Sequence, residues 1–175
     1  MIKRLYYIKG GEARVVLIMK ILIVEDESIV ALDLFYRLES KGFVVTGIAS
    51  SGDEAVRLCR CECPDLVIMD IKLKGNMNGI EAAERIHSFK PVPILYLTAY
   101  SDQATLSKAR RLPNTGLLTK PFEFEDLHAE ICAMTRQFTD RDGLSVPGSR
   151  QTGARRREMR GSFGPHLNPG LSLSS

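Results

Sequence analysis

The sequence predicts an α/β domain in which a parallel sheet is covered by helices on both faces. Three observations carry that prediction. Five short apolar runs suited to strands alternate with five stretches of helical character. One run, Leu66 to Met69, is continuously apolar, as a strand covered on both faces must be. Four of the runs close on polar groups: Glu25 and Asp26, Asp70, Thr98 and Lys120. Open α/β sheets bind their ligands at that carboxyl edge.

Residues 1–18 read as an N-terminal extension, since a domain of this kind can begin at Met19, and a mis-assigned start upstream of the domain would produce the same pattern. Lys20 to Val24 is the first strand, followed at once by Glu25-Asp26-Glu27. Ser28 to Ser40 reads as a helix with Leu32, Phe35 and Leu38 on one face, ended by Gly42. Phe43 to Ala49 is the second strand. Gly52-Asp53-Glu54 opens the second helix with acids where the dipole favours them, and Ala55, Val56 and Cys59 face inward. The third strand ends on Asp70, and a loop rich in turn formers runs from Lys72 to Gly79. Ile80 to Phe89 is the third helix, Ile94 to Thr98 the fourth strand. Ser101-Asp102 caps a fourth helix reaching about Arg111. Gly116 to Thr119 forms a short fifth strand that ends on Lys120-Pro121. Phe124, Leu127, Ile131, Met134 and Phe138 recur at spacings of three and four, the mark of an amphipathic helix.

Composition places the chain among ordinary globular proteins, with 44% hydrophobic and 26% charged residues over 175 positions. The net charge of +3 hides an uneven distribution, because residues 19–139 hold 14 basic and 17 acidic side chains. A slightly acidic body with basic ends gives no nucleic-acid footprint, so nucleic acid is not an expected partner. The triplet Cys59, Cys61 and Cys63 lacks the paired spacing and nearby histidines of a structural zinc site. With Cys132 it reads as reduced thiols, consistent with a cytoplasmic home. The run Val15 to Met19 is broken by Lys20 and is too short for a membrane span, and no cleavage site follows it. From position 140 the chain turns to Gly, Pro, Ser and Arg without apolar periodicity, and residues 140–175 are expected to be a disordered basic tail with no output domain.

Taken singly, each polar strand end has a bland reading: a solvated turn, a capping acid, a satisfied hydroxyl, a surface lysine. Their coincidence at successive strand ends is what demands an account. Two acids within about 4 Å repel by roughly 4 kcal/mol at an effective dielectric of 20. Three carboxylates at one edge therefore call for a divalent cation, and oxygen-only ligands with room for water favour Mg²⁺. A hydroxyl and an ammonium opposite the acids suit the oxygens of a phosphoryl group. Together the parts fit phosphoryl transfer onto a carboxylate.

Five motifs, Ile-Leu-Ile-Val-Glu-Asp-Glu, Asp-Leu-Val-Ile-Met-Asp, Asn-Gly-Ile-Glu-Ala, Leu-Thr-Ala and Thr-Lys-Pro-Phe, make the stretch from Met19 to Phe138 resemble the receiver domain of bacterial two-component response regulators. The resemblance implies a flavodoxin-like, doubly wound five-stranded sheet of order 2-1-3-4-5. It implies Asp70 as phosphoacceptor from a sensor histidine kinase or phosphotransfer protein. It implies Mg²⁺ held by Asp26, Asp70 and the backbone carbonyl of Lys72, with Glu25 acting through water. Thr98 and Lys120 would bind the phosphoryl oxygens, and the bond before Pro121 would be cis. Three departures stand out. Glu25 replaces the more frequent Asp, the loop from Asp70 to Gly79 is about one residue longer than usual, and Leu117 stands where the family commonly has the Tyr or Phe that turns inward on phosphorylation. Tyr100 is the candidate to take over that switching part.

The expected protein is thus a receiver spanning 19–139 that catalyses only its own phosphorylation and dephosphorylation. Its downstream protein partner would meet the face of helix four, strand five and helix five. Two rivals fit less well. A small-molecule phosphatase with an Asp nucleophile usually carries Asp-x-Asp, whereas Asp70 is followed by Ile71-Lys72, and no segment is long enough for a substrate cap. A truncated nucleic-acid-binding regulator would rest on Arg155-Arg156-Arg157 alone.

Overall fold

The computed structural model describes residues 3–9, 12–99 and 103–139, with side chains placed within 18–99 and 105–135. The expected switch residue Tyr100, the cap Ser101-Asp102 and the tail from 140 lie outside the described residues.

Residues within the expected extension form a hairpin. Strands β1 (Lys3–Lys9) and β2 (Glu12–Ile18) pair antiparallel from Lys3↔Ile18 to Lys9↔Glu12, as a two-stranded sheet of their own. The sequence between them, Gly10-Gly11, is a two-residue hairpin signal that a search for helical and strand periodicity passes over.

The domain proper follows as β3 (Lys20–Val24), α1 (Ser28–Ser40), β4 (Val44–Ala49), α2 (Gly52–Glu62), β5 (Leu66–Asp70), α3 (Gly79–His87), β6 (Ile94–Ala99), α4 (Gln103–Ala109), β7 (Thr115–Lys120) and α5 (Phe124–Thr139). The five strands are all parallel, in the order β4-β3-β5-β6-β7. Counted from the first strand of the domain this is 2-1-3-4-5, the predicted doubly wound arrangement.

Alternate residues of each strand point to opposite faces, so the sheet feeds two cores. Leu22, Val24, Val67, Met69 and Tyr96 pack with Ala55, Cys59, Ala82, Ala83 and Ile86 of α2 and α3. Ile21, Ile23, Leu66, Ile68, Leu95 and Leu97 pack with Ala31, Leu34, Leu38, Leu127 and Ile131 of α1 and α5. Each large aliphatic side chain buried this way stabilises by about 1.5–3 kcal/mol. β5 is buried at all five positions, which is why its sequence shows no alternation.

The buried face of α1 differs from expectation. Ala31, Leu34 and Leu38 turn inward, Phe35 lies at the margin, and Leu32 is 49% exposed. Leu32 sits about 100° of helix rotation beyond Ala31, and small Ala31 permits the close approach to the sheet. The helix stops where the sequence indicated. Gly42 adopts φ +88°, its N–H donates to the Glu39 carbonyl, and the Phe43 N–H donates to that of Leu38, a glycine-dependent Schellman closure. Among the described residues no helix is long and apolar enough to cross a membrane.

Candidate functional site

The order of the strands decides what meets at the carboxyl edge. β3, β5, β6 and β7 are neighbours, while β4 lies outside β3, so consecutive connections leave β3 and β5 toward opposite faces and open a crevice above them. Register aligns the ends: Val24 pairs with Met69, Asp70 with Leu97, Thr98 with Thr119, and Ala99 with Lys120. Asp70 and Lys120 thus close strands two apart, near enough for a lysine stem to reach across.

It does reach. The Lys120 ammonium lies 2.7 Å from Oδ2 of Asp70 and 2.8 Å from Oε2 of Glu25. Glu25 is 1% exposed, and its other oxygen accepts a 3.2 Å hydrogen bond from the Glu27 N–H. Burial pushes the Glu25 carboxyl above its ordinary pKa, against the pull of the Lys120 hydrogen bond. For Lys120, burial works against the charge, but the hydrogen bonds from its ammonium to Asp70 and Glu25 outweigh it and raise the pKa. The remaining oxygen of Asp70 accepts from the Lys72 N–H at 2.9 Å, which orients the carboxylate and folds the start of the loop beneath it.

Asp26 completes the acid group. Glu25, Asp26 and Asp70 each offer an oxygen such that all three atoms lie within 4.8 Å of one another. Three carboxylate oxygens at that spacing are a donor set suited to a hard divalent cation. Asp26 is not reached by Lys120. Its oxygen lies 2.9 Å from the ammonium of Lys74, a residue that the sequence alone marks only as part of a turn-rich loop. No spacing rule reveals that contact, because the partner of a long exposed lysine is set by where its loop crosses. Asp26 in turn raises the Lys74 pKa.

Thr98 is 2% exposed at the end of β6. With Asp70 and Lys72 it lines a cleft of about 620 Å³ that extends between α3 and α4 to Thr105, Lys108 and Arg111. The Lys120–Pro121 peptide is cis. Glu27 stands apart: it is exposed at the N-terminus of α1 with no side-chain capping bond. Leu117 is half-buried on the α2–α3–α4 side of β7, beside its register partner Tyr96. Tyr96 is wholly buried, and its hydroxyl finds no hydrogen-bond partner among the described residues.

Comparison with known proteins accords with this geometry. Residues 21–132 match the family described as the response regulator receiver domain. The transcriptional regulatory protein PdtaR of Mycobacterium tuberculosis (strain ATCC 25618 / H37Rv) is 37% identical over 141 residues, which are 81% of this chain and 67% of that protein. The alkaline phosphatase synthesis transcriptional regulatory protein PhoP of Bacillus subtilis (strain 168) is 34% identical over 74% of this chain. The chain spans about half of PhoP, 52% of its length. Among solved structures, the signal receiver domain of a modulated diguanylate cyclase from Desulfovibrio desulfuricans G20 superposes with a TM-score of 0.64 at 35% identity, covering 69% of this chain and 95% of that one. The receiver domain of PhyR from Erythrobacter litoralis gives 0.60 at 31% identity, covering 68% and 91%.

Proposed function

The chain belongs to the response regulator receiver family of two-component signalling, and from that premise we propose that Asp70 is its phosphoacceptor. The observation that carries this reading is the Lys120 ammonium bridging Asp70 and buried Glu25 at 2.7 and 2.8 Å, on the edge where β5 ends. The family interacts with histidine kinases and with downstream partners.

In the proposed reaction an oxygen of the Asp70 carboxylate attacks the phosphorus of a phosphohistidine in the partner kinase or phosphotransfer protein. The P–N bond breaks as the P–O bond forms, the imidazole nitrogen leaves with the electron pair, and Asp70 becomes an acyl phosphate. Lys72, donating its N–H to Oδ1, fixes which oxygen faces the incoming group. Lys120 is already poised on the other oxygen and its ammonium neutralises charge on the transferred group, with the Thr98 hydroxyl binding a second phosphoryl oxygen. The residues fit Mg²⁺: Asp26, Asp70 and the Lys72 carbonyl would hold it, with Glu25 acting through a water. When bound it supplies charge neutralisation for the phosphoryl oxygens.

We assign the output to a protein partner at the α4–β7–α5 edge. Support comes from the cavity of about 230 Å³ there, lined by Tyr96, Ala109, Arg110, Leu117 and Glu130, and from β7 being an edge strand of the sheet. The relatives PdtaR and PhoP are named transcriptional regulatory proteins, and that activity is theirs.

Intact mass spectrometry after incubation with acetyl phosphate and Mg²⁺ tests the assignment. Wild type should gain one acid-labile phosphoryl group, and Asp70→Asn none. Equal labelling of both proteins would falsify it.

A further inference from the structure

The loop between β5 and α3 is pinned at both ends. At its start the Lys72 N–H is tied to Asp70. At its end Gly79 packs against β5 so tightly that a Cβ there would lie 2.1 Å from the Asp70 carbonyl oxygen. The Asn78–Glu81 capping box then locks the first turn of α3. Four residues past Asp70, and inside this anchored loop, Lys74 reaches back to Asp26 with its ammonium at 2.9 Å. The Lys74 side chain is 80% exposed and that of Asp26 only 10%. Lys120 is engaged elsewhere, on Glu25 and Asp70.

We propose that Lys74 is a displaceable counter-ion of Asp26, which a divalent cation must evict to bind the acid cluster, so that Lys74 sets the cation affinity of the site. This rests on the reading of Glu25, Asp26 and Asp70 as a metal site. A carboxylate as enclosed as Asp26, beside two others, is costly without a compensating charge. An ammonium on a flexible, water-exposed stem supplies that charge weakly, because such pairs are screened and lose side-chain entropy. The pair is therefore strong enough to order Asp26 when no cation is present and weak enough to yield to one. Eviction costs little, since Lys74 swings from an exposed position into water. The same displacement removes a positive charge from the neighbourhood of the incoming one. Lys74 is a positioning residue here: it acts on Asp26, and through it on the cation.

The experiment is a Mg²⁺ titration of the full chain, followed by isothermal calorimetry and by amide chemical shifts. The proteins compared are wild type, Lys74→Gln, Lys74→Arg and Lys108→Gln. Lys108 lines the cleft beside Asp70 from α4, and its replacement makes the same change of net charge away from the Lys74–Asp26 pair. Lys74→Gln should bind Mg²⁺ about threefold more tightly, the size expected when one exposed ion pair no longer competes. Lys74→Arg, which keeps the charge, should stay close to wild type, as should Lys108→Gln. Without Mg²⁺ the Lys74→Gln protein should melt below wild type, and saturating Mg²⁺ should abolish or reverse that difference. Unchanged affinity in Lys74→Gln, or equal tightening in Lys108→Gln, overturns the counter-ion role while leaving the metal site in place. No saturable binding by wild type, or wild-type affinity in Asp26→Asn, overturns the metal site and this inference with it.

Discussion

At the scale of single residues, burial separates groups that the sequence presents as equivalent. The three cysteines at the end of α2 are the plainest case. Cys59 is wholly buried, whereas Cys61 and Cys63 are exposed. Burial pushes the Cys59 thiol up to about 11 from an ordinary 9.0. The thiolate is the reactive form, so alkylation of the native protein at pH 8 should label Cys61 and Cys63 and spare Cys59 until the protein unfolds. Peptide mapping after a timed pulse of iodoacetamide checks this, and early labelling of Cys59 would contradict its burial. The linkage sign follows from the raised folded-state pKa. The stability that neutral Cys59 contributes is fully present below about pH 9 and is lost as pH rises through about 11. Leu117 and Tyr96 make the same point about packing. Leu117 is only half-buried, and the aromatic ring on that face belongs to its neighbour on β6, whose buried hydroxyl has no hydrogen-bond partner among the described residues.

The elements show how a loop is made into part of a site. The connection from β5 to α3 carries Lys72 and Lys74, and its geometry depends on a close backbone approach at Gly79. A side chain there meets not a flexible neighbour but the Asp70 carbonyl at 2.1 Å and the Ile71 backbone at 3.0 Å. Gly79→Ala must therefore push α3 away from β5 or twist the peptide that carries Asp70, the proposed phosphoacceptor. The expected cost is about 1–3 kcal/mol of stability, as for overpacking elsewhere. A slower gain of phosphate from acetyl phosphate should accompany it, because Asp70 would be displaced from Lys120. Thermal melts and phosphorylation time courses measure the two effects separately. Wild-type behaviour in both would mean that the approach is looser than the structure shows. Asn78 caps α3 directly beside Gly79, accepting from both the Ile80 and Glu81 N–H groups, so a displaced helix start strains those two bonds as well.

For the whole molecule, folding and the site are linked through charge. The fold brings Glu25, Asp26 and Asp70 within 4.8 Å of one another and sets two lysines against them. An unfolded chain has no such cluster, so a cation that binds it stabilises the native state by mass action. At a Mg²⁺ concentration one hundred times its dissociation constant the gain should be about 2.7 kcal/mol. Thermal melts with and without Mg²⁺ should show that gain in wild type, lose most of it in Asp26→Ala, and keep it in Glu27→Ala. Glu27 is the informative control, adjacent in sequence yet exposed and outside the cluster. Equal responses from the two variants would show that the acid cluster is not where the cation binds.

The sequence by itself determined the alternation of strands and helices and the polar groups closing four strands. These are written in local periodicity and in abrupt changes from apolar to charged residues, each legible within a few positions. The motifs added the order of the strands, which periodicity does not contain. The tertiary structure decided what depends on distance between separate elements. It chose Ala31, Leu34 and Leu38 as the inward face of α1, because the sheet's position fixes the helix's rotation and several apolar stripes were available. It paired Lys120 with two carboxylates and gave the third to Lys74. Lysine partners of that kind are invisible in a linear sequence, since a long flexible side chain takes whichever anion the crossing of its loop brings within reach.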